Sequence, residues 1–211
     1  MKLEYTDYKL VELREKIRPY LKEKRYGHTL AVEKEAAKLG EIYLPDDINR
    51  LRAAALLHDI TKKLDLQEHL KICSEFGIMY GDDPQSEEKL FHSKTAPAVI
   101  KKDFEGYYDE EILSAVRWHT TGREGMTVFE AIVYLADYIE ETRTFPDCVE
   151  LREYFYSELS GSGKPKIEVL RQTMIKSFDM TVKNLIEENG LIDSDTISAR
   201  NYFVRGNFFA D

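Results

Sequence analysis

The sequence predicts an all-α protein, a bundle of helices with a metal site between its central helices. Three observations predict this fold class. Apolar residues recur at helical spacing over most of the 211 residues. No alternating strand pattern of useful length interrupts them. Proline and glycine are sparse, at 6 and 11 residues. We therefore expect residues 1–211 to form one domain with a substantial core, with a helical C-terminal extension from about residue 148.

Helical periodicity and punctuation residues divide the chain into eight predicted helices. Leu10, Leu13 and Ile17 lie on one face of the first, and Gly27 separates it from the second. The second predicted helix begins at His28, and the remaining six cover residues 48–60, 66–76, 87–103, 110–119, 128–141 and 167–188.

Several polar residues mark the ends of these helices. Asp109 is a predicted N-cap, and Thr127 with Glu130 three residues later predicts a capping box. We expect residues 80–86 to form a loop, and residues 160–165, Ser-Gly-Ser-Gly-Lys-Pro, to form a flexible linker. The polar segment 195–203 is too specific in composition to be a frayed tail, whereas we expect disorder in residues 206–211.

Charge and cysteine content narrow the functional classes. The formal net charge of −9 argues against nucleic acid or an anionic membrane as the main partner. A small polyanion remains compatible, because a metal and a few cations can reverse the field inside a cleft. Cys73 and Cys148 lie far apart and form no Cys-x-x-Cys motif. With no apolar signal region or membrane-spanning stretch, these features predict a cytoplasmic protein.

The pair His58-Asp59 is the most informative feature of the chain. It ends the run Ala-Ala-Ala-Leu-Leu at residues 53–57, which predicts a buried helix. Burial of a histidine and a carboxylate costs several kcal/mol unless they are paired or bind a metal. Asp137 lies in a similarly apolar helix. The full set of candidate metal ligands is His28, His58, Asp59, His92, His119 and Asp137.

Six imidazole and carboxylate donors exceed what one tetrahedral ion needs, and they suit iron, manganese, zinc or nickel. Asp59 can bridge two ions through its two oxygens. His28 and Asp137 would complete the shell of the first ion with His58. His92 and His119 would hold a second ion or, if that position is vacant, contact phosphate. Most lone histidines near a helix end have no such role, and we interpret His69 as solvated and Trp118 as a core residue.

The order of these six residues resembles that of the HD-domain phosphohydrolase superfamily. The matching form of that superfamily has two extra histidines, here His92 and His119, between the His-Asp pair and the final aspartate. More locally, the chain resembles the YqeK-like symmetrical bis(5'-nucleosyl)-tetraphosphatase family. The stretches that carry the resemblance are 25–29 (Arg-Tyr-Gly-His-Thr), 54–62 (Ala-Ala-Leu-Leu-His-Asp-Ile-Thr-Lys), 118–122 (Trp-His-Thr-Thr-Gly), 135–143 (Leu-Ala-Asp-Tyr-Ile-Glu-Glu-Thr-Arg) and 196–201 (Thr-Ile-Ser-Ala-Arg-Asn).

The resemblance implies an HD-domain helical bundle that cleaves diadenosine tetraphosphate in the middle to give two ADP. It implies that His28, His58, Asp59 and Asp137 hold iron or a similar ion, as one or two ions, and that His92 and His119 hold a second ion or the phosphates. We expect Asp59, His92 and His119 to be catalytic. A homodimer through the long C-terminal helix is an option that no specific feature supports.

Because the substrate would be a polyanion, cations near these motifs are candidate phosphate contacts. Arg25, Lys62 and Arg143 are the first candidates, and arginine suits bidentate recognition of phosphate. Residues with less support as nucleotide contacts are Thr61, Tyr138, Thr196, Arg200 and Asn201.

Three other functions remain open from the sequence. The enzyme could hydrolyse another nucleotide, such as a deoxynucleoside phosphate or a cyclic dinucleotide. A carboxylate-bridged di-iron site could activate oxygen, although Lys62 and the arginines favour phosphate chemistry. The protein could also be a nucleotide-binding regulator with a structural metal, which nucleotide binding without turnover would reveal.

Overall fold

A computed structural model of the chain describes residues 5–210. Over this range the chain forms ten α-helices and no β-strand, apart from an isolated bridge between Thr127 and Ala210. The all-α prediction is confirmed. In chain order the helices are α1 (Asp7–Ile17), α2 (Glu23–Tyr43), α3 (Ile48–Leu57), α4 (Leu66–Phe76), α5 (Phe91–Asp103), α6 (Glu110–Trp118), α7 (Val128–Ile139), α8 (Pro146–Gly161), α9 (Lys166–Glu187) and α10 (Ser194–Val204).

Helix α3 lies at the centre of the bundle. Its residues from Ala53 to Leu57 are fully buried, because α1, α2, α6 and α7 pack around it. A helical segment that is apolar on all sides, as residues 53–57 are, has to be enclosed in this way. The predicted buried helix before His58 is therefore confirmed, and the chain leaves the helix at the residue where polar ligands begin.

Helix α7 is the second buried helix, and it packs on α2, α3, α6 and α8. Its start is fixed by the predicted capping box: the Thr127 hydroxyl accepts from the Glu130 amide, and the Glu130 carboxylate accepts from the Thr127 amide. Such a cap contributes about 1 kcal/mol and fixes the residue at which the helix begins. Packing of α7 on its neighbours faces Asp137 toward the end of α3, where its Oδ1 atom is 3.8 Å from His58 Nε2.

The predicted helix break at Gly27 is wrong, since α2 begins at Glu23 and Gly27 lies inside it. The chain breaks earlier, where Pro19 and the extended residues Leu21 and Lys22 separate α1 from α2. One glycine costs a helix only about 1 kcal/mol, which packing of α2 on α3 and α7 readily offsets.

The C-terminal helices continue the same hydrophobic core. Helix α8 packs on α7 and α9, and α9 packs on α10. One cluster of buried apolar side chains runs from Leu10 to Phe203. Within the described residues, no helix combines the length and the apolar character that crossing a bilayer requires.

The end of the chain differs from the sequence-based expectation. Residues 206–210 pack against the domain: the Ala210 amide donates to the Met126 carbonyl at 2.9 Å, and the Phe209 ring lies 5.0 Å from that of Phe203. The expected disorder of residues 206–211 is therefore wrong for residues 206–210, because the aromatic residues near the end find apolar partners; Asp211 lies outside the described residues. Helix α8 also extends to Gly161 and shortens the predicted linker to residues 162–165.

Candidate metal centre

The six predicted ligands converge on one site, and five helices position them. His28 lies on α2, His58 and Asp59 follow α3, His92 is the second residue of α5, His119 follows α6 and Asp137 lies on α7. The Nε2 atom of His28 is 2.9 Å from Asp137 Oδ1, and the Nε2 atoms of His92 and His119 are 3.2 Å apart. Residues separated by more than a hundred positions thus meet because their helices end at, or pass, the same point.

Each of three histidines has its Nδ1 atom held by an acceptor. His58 Nδ1 donates to the Ala55 carbonyl and His119 Nδ1 to the Val116 carbonyl, both at 2.6 Å. His28 Nδ1 donates to the Glu140 carboxylate at 3.0 Å. In the neutral form of each ring, this hydrogen bond leaves the lone pair on Nε2, which faces the centre of the site.

The Nε2 atom of His58 is buried and has no hydrogen-bond partner, and that of His28 faces the Asp137 carboxylate at 2.9 Å without hydrogen-bond geometry. A buried polar atom without a partner is costly, and a metal ion would supply one. The ligand atoms of His28, His58 and Asp137 lie within 4.8 Å of one another, as do those of His58, Asp59 and His119. The site therefore fits a divalent cation.

Asp59 divides its two oxygens between two groups of histidines. Its Oδ2 atom is 3.4 Å from His58 Nε2, on the side of His28 and Asp137. Its Oδ1 atom is 3.5 Å from His92 Nε2 and 3.8 Å from His119 Nε2. This is the arrangement expected of a carboxylate that joins two ion positions.

The electrostatics of the site favour a cation. Burial alone would lower the pKa of His28, but the neighbouring carboxylates of Asp137 and Glu140 raise it to about 9. Burial opposes the charged form of Asp137, yet Arg143, His28 and His58 hold its pKa well below the usual range. Burial and the neighbouring Lys62 lower the pKa of His92, so this imidazole is neutral, as a ligand must be.

The three predicted phosphate-binding cations all lie at the site. Arg25 Nη1 is 2.9 Å from Asp59 Oδ2, and Arg143 Nη2 is 2.6 Å from Asp137 Oδ1. Lys62 Nζ lies 3.1 Å from His92 Nδ1, and burial lowers the pKa of the lysine. The two arginines thus contact ligand carboxylates, which the sequence did not indicate.

These groups line a cleft of about 290 Å³, which we call the metal cleft. Thr120 is a wall residue that sequence reasoning missed, and its hydroxyl is 3.2 Å from Nε2 of both His92 and His119. Tyr134 and Thr181 are two more missed wall residues. Short polar side chains and tyrosines on helices carry no distinctive spacing, so no sequence signal marks them.

The weaker candidates for substrate contact have other partners. Thr61 is buried and donates to the His92 carbonyl at 2.8 Å, so it supports a ligand. Tyr138 lines the metal cleft, while its hydroxyl donates to Asp147 at 2.9 Å.

The C-terminal candidates lie on α10, outside the residues that line the metal cleft. Thr196 is buried there, and Arg200 pairs with Asp179 and donates to Asn201. Contact of these three residues with substrate stays a prediction that this placement does not favour.

Two supporting residues were missed by sequence reasoning. Glu140 is fully buried and orients His28; its position three residues after Asp137, on the same helical face, is the signal that marks it. His69, interpreted above as solvated, is buried and lies 2.9 Å from the Thr95 hydroxyl. That interpretation is wrong, because α4 packs its His69 face against α5.

An all-α bundle with this ordered His/Asp set defines a class of metal-dependent phosphohydrolases, the HD-domain proteins. The HD domain family model matches residues 25–142, more than half of the chain. The chain is also 35% identical over 184 residues to a symmetrical bis(5'-nucleosyl)-tetraphosphatase of Staphylococcus aureus, covering 87% of this chain and 88% of that protein. It is 32% identical to the protein of the same name from Halalkalibacterium halodurans, covering 88% and 91%.

The chain therefore belongs to the HD-domain family and, within it, to the family of the symmetrical bis(5'-nucleosyl)-tetraphosphatases. A solved structure agrees with this placement. A crystal structure of a predicted HD superfamily hydrolase involved in NAD metabolism, from Clostridium acetobutylicum, is similar to this chain with a TM-score of 0.80 and 34% identity, over 96% of this chain and 99% of that one.

Proposed function

We propose that the protein is a metal-dependent hydrolase that cleaves diadenosine tetraphosphate symmetrically into two ADP. The observation that carries the proposal is the convergence of His28, His58, Asp59, His92, His119 and Asp137 beside three cations in one cleft. The relatives of the chain that are named symmetrical tetraphosphatases support the choice of substrate.

The native ion of this proposal is iron, as one or two ions, and manganese, nickel and zinc suit the same donors. His28, His58 and Asp137 would hold the first ion, His92 and His119 the second, and Asp59 would join them. When bound, such an ion makes hydroxide available near neutral pH and neutralises charge on phosphoryl oxygens.

The residues of the chain bind and orient the polyphosphate. Arginine has five N–H donors, so Arg25 and Arg143 keep free donors after contacting Asp59 and Asp137. With Lys62 they place positive charge along the metal cleft, where the four phosphates of the substrate would lie. The departing ADP leaves as an anion and needs no strong acid, so orientation and charge neutralisation carry most of the catalysis.

A product assay tests the proposal. The iron- or manganese-loaded protein is incubated with diadenosine tetraphosphate, and the nucleotides are separated by ion exchange. We expect ADP alone, and no product from a folded Asp59→Ala variant. Formation of AMP and ATP would show that cleavage is not symmetrical. Absence of turnover by the metal-replete protein would contradict the proposed hydrolase activity.

We also infer that the protein acts in the cytoplasm as one domain, on a small molecule and on neither nucleic acid nor membrane. Two buried free thiols, Cys73 and Cys148, support a reducing compartment. The continuous core from Leu10 to Phe203 supports a single domain. The homodimer stays a prediction.

A further inference from the structure

A second cleft opens beside the metal cleft and shares a wall with it. It has a volume of about 490 Å³ and lies between the start of α8 and the second half of α9. Tyr138, Arg143 and Thr181 line both clefts, so the two clefts are adjacent. A ligand that is held in the metal cleft and extends past Arg143 would enter the second cleft.

The second cleft has the chemistry of a nucleoside site. Phe145 stands on its wall with 64% of its surface exposed, so its ring is accessible to a ligand in the cleft. Leu185 adds a second apolar surface. Exposed aromatic rings at the end of a phosphate-binding cleft suit base stacking, which accepts any base because every base has a π face.

The charges of the second cleft favour the uncharged end of a nucleotide. Asp147 lies in it, where its carboxylate accepts from Tyr138 at 2.9 Å and from Asn184 at 3.2 Å. A carboxylate repels phosphate but accepts readily from ribose hydroxyls. At the rim, Lys89 is 3.9 Å from Glu188, so these two charges offset each other.

Arg143 lies at the junction and has donor capacity to spare. Its Nη2 atom contacts Asp137, whereas its Nε atom is buried without a hydrogen-bond partner. The side chain keeps 27% of its surface exposed, and a phosphate that passes between the two clefts would accept from the remaining Nη N–H groups. A symmetrical cut releases two ADP molecules. The two phosphates of one of them, which connect the cleaved bond to its nucleoside, would lie beside Arg143.

We propose that the second cleft binds the nucleoside of one ADP half of the substrate, with the base stacked on Phe145 and Arg143 on the intervening phosphates. The proposal rests on the proposed function for its choice of ligand. Phe145 is then a specificity-determining residue, because it selects polyphosphates that carry a nucleoside at this distance from the metals.

Binding to the intact, manganese-loaded protein tests the subsite directly. ADP and inorganic pyrophosphate are titrated by calorimetry into the wild type, Phe145→Ala and Phe145→Tyr. We expect Phe145→Ala to weaken ADP binding about tenfold, with pyrophosphate binding unchanged, and Phe145→Tyr to restore it. Phe76→Ala, which removes an exposed phenylalanine on α4, is the matched control and should change neither.

Equal effects on both ligands, or no effect on ADP, would overturn the subsite. Labelling with 8-azido-ADP gives a second readout, since we expect the photoproduct on residues 145–148 or 184–188 and a product elsewhere would contradict us. With diadenosine tetraphosphate, Phe145→Ala should raise KM about tenfold and leave kcat within about twofold. If the wild type binds ADP at this place but does not cleave diadenosine tetraphosphate, the proposed function fails and the subsite stands.

Discussion

At the scale of single residues, the orientation of His28 depends on a carboxylate outside the metal cleft. Glu140 is fully buried, and its oxygens accept from His28 Nδ1 and from the amide and hydroxyl of Thr142. A buried carboxylate satisfied in this way is rigid. It holds the imidazole in the tautomer that a metal requires, and it makes the ring a stronger ligand.

We expect Glu140→Gln to lower metal affinity about 10–100-fold, because the amide is a weaker acceptor for the histidine N–H. Metal titration followed by activity would measure this, and excess metal should restore much of the turnover. Glu141→Gln is the matched control, since Glu141 is exposed and pairs with Lys34 at 2.7 Å. Equal affinities of the two variants would show that Glu140 does not act through His28.

His69 gives a prediction about stability and pH. Burial lowers its pKa below the usual 6.5, so the unfolded chain takes up a proton below this pH and the folded chain does so only at lower pH. Stability contributed by neutral His69 is therefore present above about pH 6.5 and is lost as the pH falls. We expect His69→Asn to flatten the pH dependence of the free energy of unfolding below about pH 6.5, measured in urea; an unchanged slope would contradict this.

At the scale of elements, the ligands occupy helix ends whose geometry the neighbouring turns fix. The turn after α6 carries His119 and Thr120 and closes at Gly122, which has φ of +66°. A Cβ atom there would lie 2.8 Å from the Phe178 ring of α9. The close contact between Gly122 and Phe178 therefore joins the turn that carries His119 to the C-terminal helices.

We expect Gly122→Ala to destabilise the fold by about 1–3 kcal/mol, through its left-handed backbone and the contact with Phe178. Gly27→Ala is the matched substitution, because a Cβ on Gly27 meets nothing within 4 Å inside α2. It should stabilise by about 0.5–1 kcal/mol. Urea unfolding of both variants measures the difference, and a destabilised Gly27→Ala or a neutral Gly122→Ala would refute the backbone argument.

The helices that the sequence predicted well are those with both periodicity and a cap. Helices α6 and α7 begin where Asp109 and Thr127 predict, since each cap makes its hydrogen bonds locally. The helix break predicted at Gly27 was wrong because packing of α2 on other helices offsets the cost of a glycine inside it. The sequence of one segment does not show that packing. Helix α10 was not predicted as a helix, because its order comes from contact of Phe203 with Phe178 on α9.

At the scale of the whole molecule, the site joins parts of the chain that are remote in sequence. The ligands come from α2, the ends of α3 and α6, α5 and α7, over residues 28–137. An ion that binds them would hold five helices at one point, and it would have little affinity for the unfolded chain. Metal binding should therefore stabilise the entire fold rather than a local segment.

We expect manganese or iron at a hundred times its Kd to raise the free energy of unfolding by about 2.7 kcal/mol. The midpoint of thermal unfolding, recorded with metal and with chelator, measures this. Asp137→Asn should lose most of the shift, whereas Asp179→Asn, which alters an exposed pair with Arg200, should keep it. A midpoint that does not respond to metal in the wild type would argue against a site that spans the fold.

The ligands could be predicted from sequence, and most of their surroundings could not. Histidines and aspartates inside apolar helices are costly to bury, so their positions in the sequence already indicate a site. The contacts of Arg25 and Arg143 with Asp59 and Asp137 depend on how helices cross, and this follows from packing of the whole core. Phe145 gave no signal, because one aromatic residue before a proline is ordinary unless a cleft lies beside it.

His58 and His119, which follow α3 and α6, are oriented by the same kind of hydrogen bond. Each ring donates Nδ1–H to the carbonyl three residues earlier in its own helix, so one hydrogen bond both satisfies a helix end and aims a ligand. Such a ligand needs no support from another chain segment. A protein engineer could therefore graft it as a single residue: a histidine at the last turn of a buried helix in a designed bundle would arrive already oriented, with its free nitrogen facing the bundle interior.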